Sequence, residues 1–95
     1  IDDMVDTAGT ITKAADLMMQ SGAGSVRALC SHAIVSAPAS ERVDNAALVE
    51  IMFTNSIPFT KSCHKVTILS VARLFADTIR RVHTHESISS QYLIK

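Results

Sequence analysis

The chain has 95 residues, of which 47% are hydrophobic and 19% charged, so it is one small domain able to close a packed core rather than a disordered segment. Lys+Arg and Asp+Glu both total 9, and this zero net charge excludes the basic footprint of a sequence-independent nucleic-acid binder. No apolar run approaches the roughly 20 residues of a membrane helix, and the acidic N-terminus lacks the apolar stretch of a signal peptide, so the expectation is a cytoplasmic chain that engages neither nucleic acid nor membrane.

In chain order, Asp2, Asp3 and Asp6 lead into Thr7-Ala8-Gly9-Thr10, read as a loop entering a helix. The strand that should feed this loop is represented by Ile1 alone. Ile11, Ala14, Ala15 and Met18 recur at helical spacing, with Thr10 as N-cap and Gly22 as stop. Val26–Cys30 reads as a buried strand and Ser31–Ala37 as a loop. A short helix runs from Pro38 to about Ala46, with Ser36 as its N-cap. Leu48–Thr54 is a second strand, Asn55–Lys65 a polar connection containing Pro58, and Val66–Leu69 a third strand. Ser70 caps the clearest helix, whose one face carries Val71, Leu74, Phe75, Thr78, Ile79 and Val82, while Arg80 and Arg81 suit its C-terminus. His83–Glu86 ends that helix and Ser87–Ile94 reads as a short extended tail. With aromatics at 4% and no Trp, the core must be aliphatic. Strands alternating with helices over short loops predict an α/β fold with a largely parallel sheet and flanking helices.

Few residues outside the opening stretch suggest chemistry. Cys30 and Cys63 match no zinc spacing and read as reduced thiols. His83 and His85 read as solvated, so no residue is assigned as a direct metal ligand. Met18-Met19 is helix packing.

The opening stretch is different. Helix N-terminal N–H groups without partners attract anions, two threonines add hydroxyl donors, and a glycine permits close approach. Asp2 and Asp3 cannot grip an anion, but they can accept from vicinal hydroxyls or hold Mg²⁺ through water. A phosphate at one end and a diol at the other describe ribose 5-phosphate. The same residues also fit a solvated terminus before a well-capped helix.

Asp2-Asp3-Met4-Val5-Asp6-Thr7-Ala8-Gly9-Thr10 resembles the phosphoribosyl-diphosphate loop of the type I phosphoribosyltransferase superfamily. In particular it resembles the form found in ribose-phosphate diphosphokinases (phosphoribosyl pyrophosphate synthetases). The likeness continues through "AADLMMQSGAGSVRALCSHAIVSAPASERV", "TNSIPFTKSCHKVTILSVARLFADTIRRVH" and "HESIS", and covers essentially the whole chain. It implies that residues 1–95 form part of a carboxyl-terminal phosphoribosyltransferase-like domain, truncated at its N-terminal side, with the ribose 5-phosphate loop at residues 1–10. It further implies transfer of the diphosphoryl group of ATP to the C1 hydroxyl of ribose 5-phosphate, releasing AMP and requiring Mg²⁺. Asp2 and Asp3 would face the ribose hydroxyls, and Asp6, Thr7, Ala8, Gly9 and Thr10 would surround the 5-phosphate, Asp6 through its N–H. The family's ATP site, basic loop and metal-binding residues would precede Ile1, so no catalytic residue is assigned within the chain. Family members form oligomers, so homo- or hetero-oligomeric synthetase subunits are the expected partners. Ser87 and Ser89 match a tail associated with an allosteric phosphate site, although His85 stands where Gly is usual. Two alternatives remain: a non-catalytic regulatory paralogue that co-assembles with the synthetase, and a phosphoribosyltransferase, for which no base-binding hood is visible.

Overall fold

The structure is a computed structural model that describes residues 1–36, 38–60 and 63–92, of Tyr92 the backbone alone. The strands are β1 (Asp2–Val5), β2 (Val26–Ala33), β3 (Leu48–Thr54) and β4 (Val66–Leu69). The helices are α1 (Gly9–Gln20), α2 (Ala39–Asn45) and α3 (Ala72–His83), followed by a 3₁₀ turn at Ser89–Tyr92. The strands form one sheet in the order β1-β2-β3-β4, and every neighbouring pair is parallel. The α/β reading therefore holds.

The opening stretch corrects the sequence reading. Asp2–Val5 is not loop but strand β1, paired in register with β2 through Asp2↔Cys30, Met4↔His32 and Val5↔Ala33. The same pairing carries β2 three residues past Cys30. Ser31 and His32 look like loop residues by composition, but β1 supplies the ladder that keeps them extended. Two further expectations shift for local reasons. The tail folds into the 3₁₀ turn instead of running extended, and α1 begins at Gly9, ahead of Thr10. Gly22 does end α1, in the left-handed conformation at φ 102°. Ala37, residues 61 and 62 of the expected connection and residues 93–95 of the expected tail lie outside the described residues.

One register row, Asp2–Cys30–Phe53–Ile68, crosses the whole sheet. Its two middle members are buried under α1 and α2, together with Ala28, Ile51, Ala15, Ala39 and Val43. These are mostly small residues, which let two short helices lie close to the sheet. Phe53 stacks on Phe59 with ring centroids 6.1 Å apart, so the core is aliphatic except at its centre.

The cover is one-sided. Arg27 and Glu50 pair at 3.7 Å, and the Thr67 hydroxyl donates to Glu50 at 2.6 Å. Leu29 and Leu69 stay exposed. Helix α3 has a strongly apolar stripe, yet none of its residues is buried, and Leu74, Phe75, Ile79 and Val82 are all at least half exposed. Its start is fixed from the side: Asn55 Oδ1 accepts from the Val71 N–H at 2.9 Å, and Ser70 Oγ accepts from the Ala72 N–H at 3.2 Å.

Phe53 and Ile68 share a register row but differ in exposure, 1% against 41%. Phe53→Ala is expected to cost about 3–5 kcal/mol and Ile68→Ala less than about half of that, as measured by urea unfolding. Equal losses would refute the assignment of Phe53 as the centre of the core.

Candidate functional site

The chain leaves β1 at Val5, bends at Ala8 and enters α1 at Gly9. Ala8 takes the left-handed conformation, φ 63° and ψ 10°, and is buried. A side chain there costs roughly 1–2 kcal/mol. Val35 across the loop is also left-handed, at φ 47°, and as a β-branched residue it is more strained still.

Hydrogen bonds hold both bends. The Val5 carbonyl accepts from the N–H groups of Ile34 and Val35 at 3.1 and 3.0 Å. The Asp6 carbonyl accepts from the Ser36 N–H at 2.9 Å and the Ser36 hydroxyl at 3.2 Å. Arg42 Nη1 donates to the Thr7 carbonyl at 3.1 Å. The Ala8 carbonyl accepts from the Thr12 N–H at 3.1 Å and the Thr12 hydroxyl at 2.7 Å. Four consecutive carbonyls are thus engaged by the protein.

A trans peptide is planar, with its C=O and N–H pointing in opposite directions. Fixing each carbonyl inward therefore turns the N–H of the next residue outward. Among the described residues, the N–H groups of Thr7, Ala8, Thr10 and Ile11 have no protein acceptor. The Gly9 N–H reaches only Thr7 Oγ1, at 3.5 Å. They surround a cleft of about 220 Å³ lined by Asp2, Asp6, Thr7, Ala8, Gly9 and Thr10, with Met4, Val5 and Ile11. The helix dipole adds positive potential at the same place.

This geometry revises two local expectations. Thr10 does not cap α1; the cap position is Ala8, with no side-chain cap bond, so the first-turn donors stay free. Ser36 does not cap α2, whose cap position is Pro38, because its hydroxyl is spent on Asp6. Gly9 has no left-handed φ, and the left-handed residue is Ala8. A Cβ at Gly9 would lie 3.4 Å from Arg42 Nη1, an ordinary contact distance.

The two leading acids part company. Successive strand residues face opposite sides, and Asp2 lines the cleft whereas Asp3 does not. Asp2 Oδ1 accepts from the Asp3 N–H at 2.8 Å and Asp3 Oδ1 from the Met4 N–H at 2.9 Å, leaving each carboxylate one oxygen. Among the described residues, no group of three or more His, Cys, Asp and Glu is placed to hold a metal ion. Hard carboxylate oxygens suit Mg²⁺, but only alongside water and substrate oxygens. The bond from Arg42 to the loop is missed by sequence reasoning, since only the placement of α2 beside the loop reveals it, and Ser36 is given a capping role instead of its bond to Asp6.

Cys30 and Cys63 are free thiols, and burial pushes both above the usual thiol range. At the other end of the chain, Ser87 and Ser89 are exposed with their hydroxyls 2.8 Å apart. Arg81 donates to the Ser87 carbonyl at 3.2 Å and to Ser90 Oγ at 2.7 Å. Asp77 accepts from Gln91 Nε2 at 2.9 Å and pairs with Arg80 and Arg81 at 2.8 and 3.0 Å. Glu86 pairs with Arg80 at 3.0 Å and accepts from the Thr84 hydroxyl. Among the described residues, no helix is long and apolar enough to cross a membrane.

Comparison with known proteins locates this arrangement. A family model described as the phosphoribosyl synthetase-associated domain matches residues 1–95. A ribose-phosphate pyrophosphokinase of Porphyromonas gingivalis is 62% identical over 92 residues, covering 97% of this chain and 29% of that protein. One of Helicobacter pylori is 51% identical over 92 residues, with the same 97% and 29% coverage. The crystal structure of phosphoribosylpyrophosphate synthetase from Mycobacterium smegmatis superimposes with a TM-score of 0.85 at 38% identity, over 88% of this chain and 29% of that one. The chain thus spans about 29% of the length of these relatives.

Two outcomes test this geometry. Ala8→Val puts a β-branched residue at the left-handed, buried turn and is expected to destabilise by about 2 kcal/mol or more in thermal unfolding. The Arg80 hydrogen bond lowers the Asp77 carboxyl below its ordinary value, and the Thr84 hydroxyl, then Arg80, lower Glu86. Such depressed groups stabilise fully above the ordinary carboxylate range and lose that contribution as pH falls through their lowered values. The tail should therefore stay docked through the ordinary carboxylate range and detach only as pH falls below it. Asp77→Asn should detach it at neutral pH, as read from hydrogen exchange in residues 87–92.

Proposed function

This chain belongs to the phosphoribosyl synthetase-associated domain family, and from that premise we propose that it is the ribose 5-phosphate-binding part of a ribose-phosphate diphosphokinase. The observation that carries the reading is the row of inward-held carbonyls at Val5 to Ala8, which leaves outward N–H groups around a cleft lined by Asp2, Thr7 and Thr10. Phosphate oxygens accept hydrogen bonds and carry charge, so they match these donors. Sugar hydroxyls donate, so they match Asp2, the one of the two leading acids that lines the cleft.

In this reading the complete enzyme transfers the diphosphoryl group of ATP to the C1 hydroxyl of ribose 5-phosphate and releases AMP. The chain's own residues bind and orient: the 5-phosphate sits on the N–H groups and hydroxyls of Thr7 to Thr10, and the diol at the Asp2 end. Asp6 contributes backbone rather than carboxylate, since its carboxylate would repel the phosphate. Mg²⁺, held with ATP mainly by other sequence, supplies charge neutralisation for the transferred group. Co-assembly with further synthetase subunits, a cytoplasmic location and a phosphate-effector site at Ser87 and Ser89 belong to the same proposal. The tail serines are supported by their facing hydroxyls beside Arg81.

Thr7→Ala combined with Thr10→Ala, in the complete polypeptide carrying this chain, is expected to raise KM for ribose 5-phosphate by about 10- to 100-fold and to leave KM for ATP unchanged. The 95-residue chain alone is expected to form no AMP from ATP and ribose 5-phosphate. Unchanged KM in the double variant, or AMP formed by the chain alone, refutes the assignment.

A further inference from the structure

We propose that Arg42 is a positioning residue that locks the peptide between Thr7 and Ala8 in its anion-receiving orientation; this rests on the reading of the loop as a ribose 5-phosphate site. The carbonyls of Val5, Asp6 and Ala8 each accept two hydrogen bonds, counting Ser36 and Thr12 through both N–H and hydroxyl. The Thr7 carbonyl accepts one, from Arg42 Nη1 at 3.1 Å. This peptide immediately precedes the strained residue, since Ala8 sits at φ 63°. Rotating the 7–8 peptide plane would carry Ala8 toward negative φ and relieve its left-handed strain. The same rotation would turn the Ala8 N–H inward and aim the Thr7 carbonyl, an acceptor, at the phosphate position. The anion-binding orientation is thus the strained one, and a single side-chain bond opposes the flip.

Arg42 is suited to this task. It comes from α2, so the restraint is independent of the loop's own conformation. Its guanidinium lies beside Gly9, 3.4 Å from where a Cβ would be. Among the described residues Arg42 enters none of the ion pairs. Four further N–H donors remain on the guanidinium after the Thr7 bond.

The test is a double-mutant cycle in the complete polypeptide carrying this chain, read as KM for ribose 5-phosphate against KM for ATP. Arg42→Ala is expected to raise KM for ribose 5-phosphate about tenfold, with KM for ATP unchanged. Ala8→Gly removes the left-handed penalty and hence the drive to flip. On that background Arg42→Ala should raise KM less than about threefold. A tenfold rise on both backgrounds means that Arg42 contacts the phosphate directly, and overturns the proposal. A parallel rise of both KM values means general loss of structure, and overturns it too. If Arg42→Ala has no effect while the Thr7→Ala/Thr10→Ala enzyme is impaired, the positioning role fails and the site stands. If neither variant is impaired, the site reading fails first and the positioning role with it.

Discussion

The rigidity of the peptide plane is the constraint on which the site depends. A loop can present N–H groups to a ligand only if the adjoining carbonyls face the other way and find donors there. Here the Ala8 carbonyl is met by Thr12 of α1, and the donors for the Val5, Asp6 and Thr7 carbonyls come from two places outside the loop. Ile34, Val35 and Ser36 follow directly from β2, and Arg42 lies on α2. The Val5↔Ala33 register places the end of β2 level with the end of β1, so that the residues leaving β2 meet the carbonyls leaving β1. A slip of the pairing would move the Ile34, Val35 and Ser36 donors out of reach. The left-handed bends at Ala8 and Val35 are consequences of the same arrangement: each strand must turn sharply at the same height to bring donor and acceptor together.

The rest of the fold keeps that register fixed. Cys30 and Phe53 lie side by side at the centre of the sheet, under helices that approach closely because Ala15, Ala28 and Ala39 are small. Beyond this core the molecule is one-sided. A parallel sheet ordinarily has both faces covered, whereas Leu29 and Leu69 and the stripe of α3 remain exposed. The chain is similar to about 29% of each relative.

How much of this was legible in the sequence depended on the range of the interactions. β3 and β4 were readable to the residue because β-branched and aromatic side chains cluster there between turn residues. The loop-into-helix character of Thr7 to Thr10 was readable because Thr and Gly before an apolar helical repeat are a local signal. The strand character of Asp2–Val5 was not readable, because three of its four residues are exposed and the strand it pairs with lies 28 residues away along the register. The end of β2 failed for the same reason, since Ser31 and His32 are extended only where β1 lies beside them. Ser36 and Thr10 were recognised as polar residues near helix starts, but given the wrong duty. A cap and a tertiary hydrogen bond look alike in one dimension. Arg42 gave no signal at all, since its partner is 35 positions earlier.

The near absence of cations at the cleft also bears on the proposed chemistry. The 5-phosphate is untouched by transfer to the C1 hydroxyl, so it is bound alike in substrate, transition state and product. Interactions that are uniform along a reaction orient the substrate but do not lower the barrier from the bound state. Excess affinity there would only slow the release of product, which carries the same phosphate. Neutral N–H groups, hydroxyls and a helix dipole meet this requirement, with one guanidinium turned toward a carbonyl. Charge stabilisation belongs where charge develops, at the diphosphoryl group under transfer. A loop of fixed dipoles at one end of the sugar and acids at the other is therefore what a positioning half-site should contain.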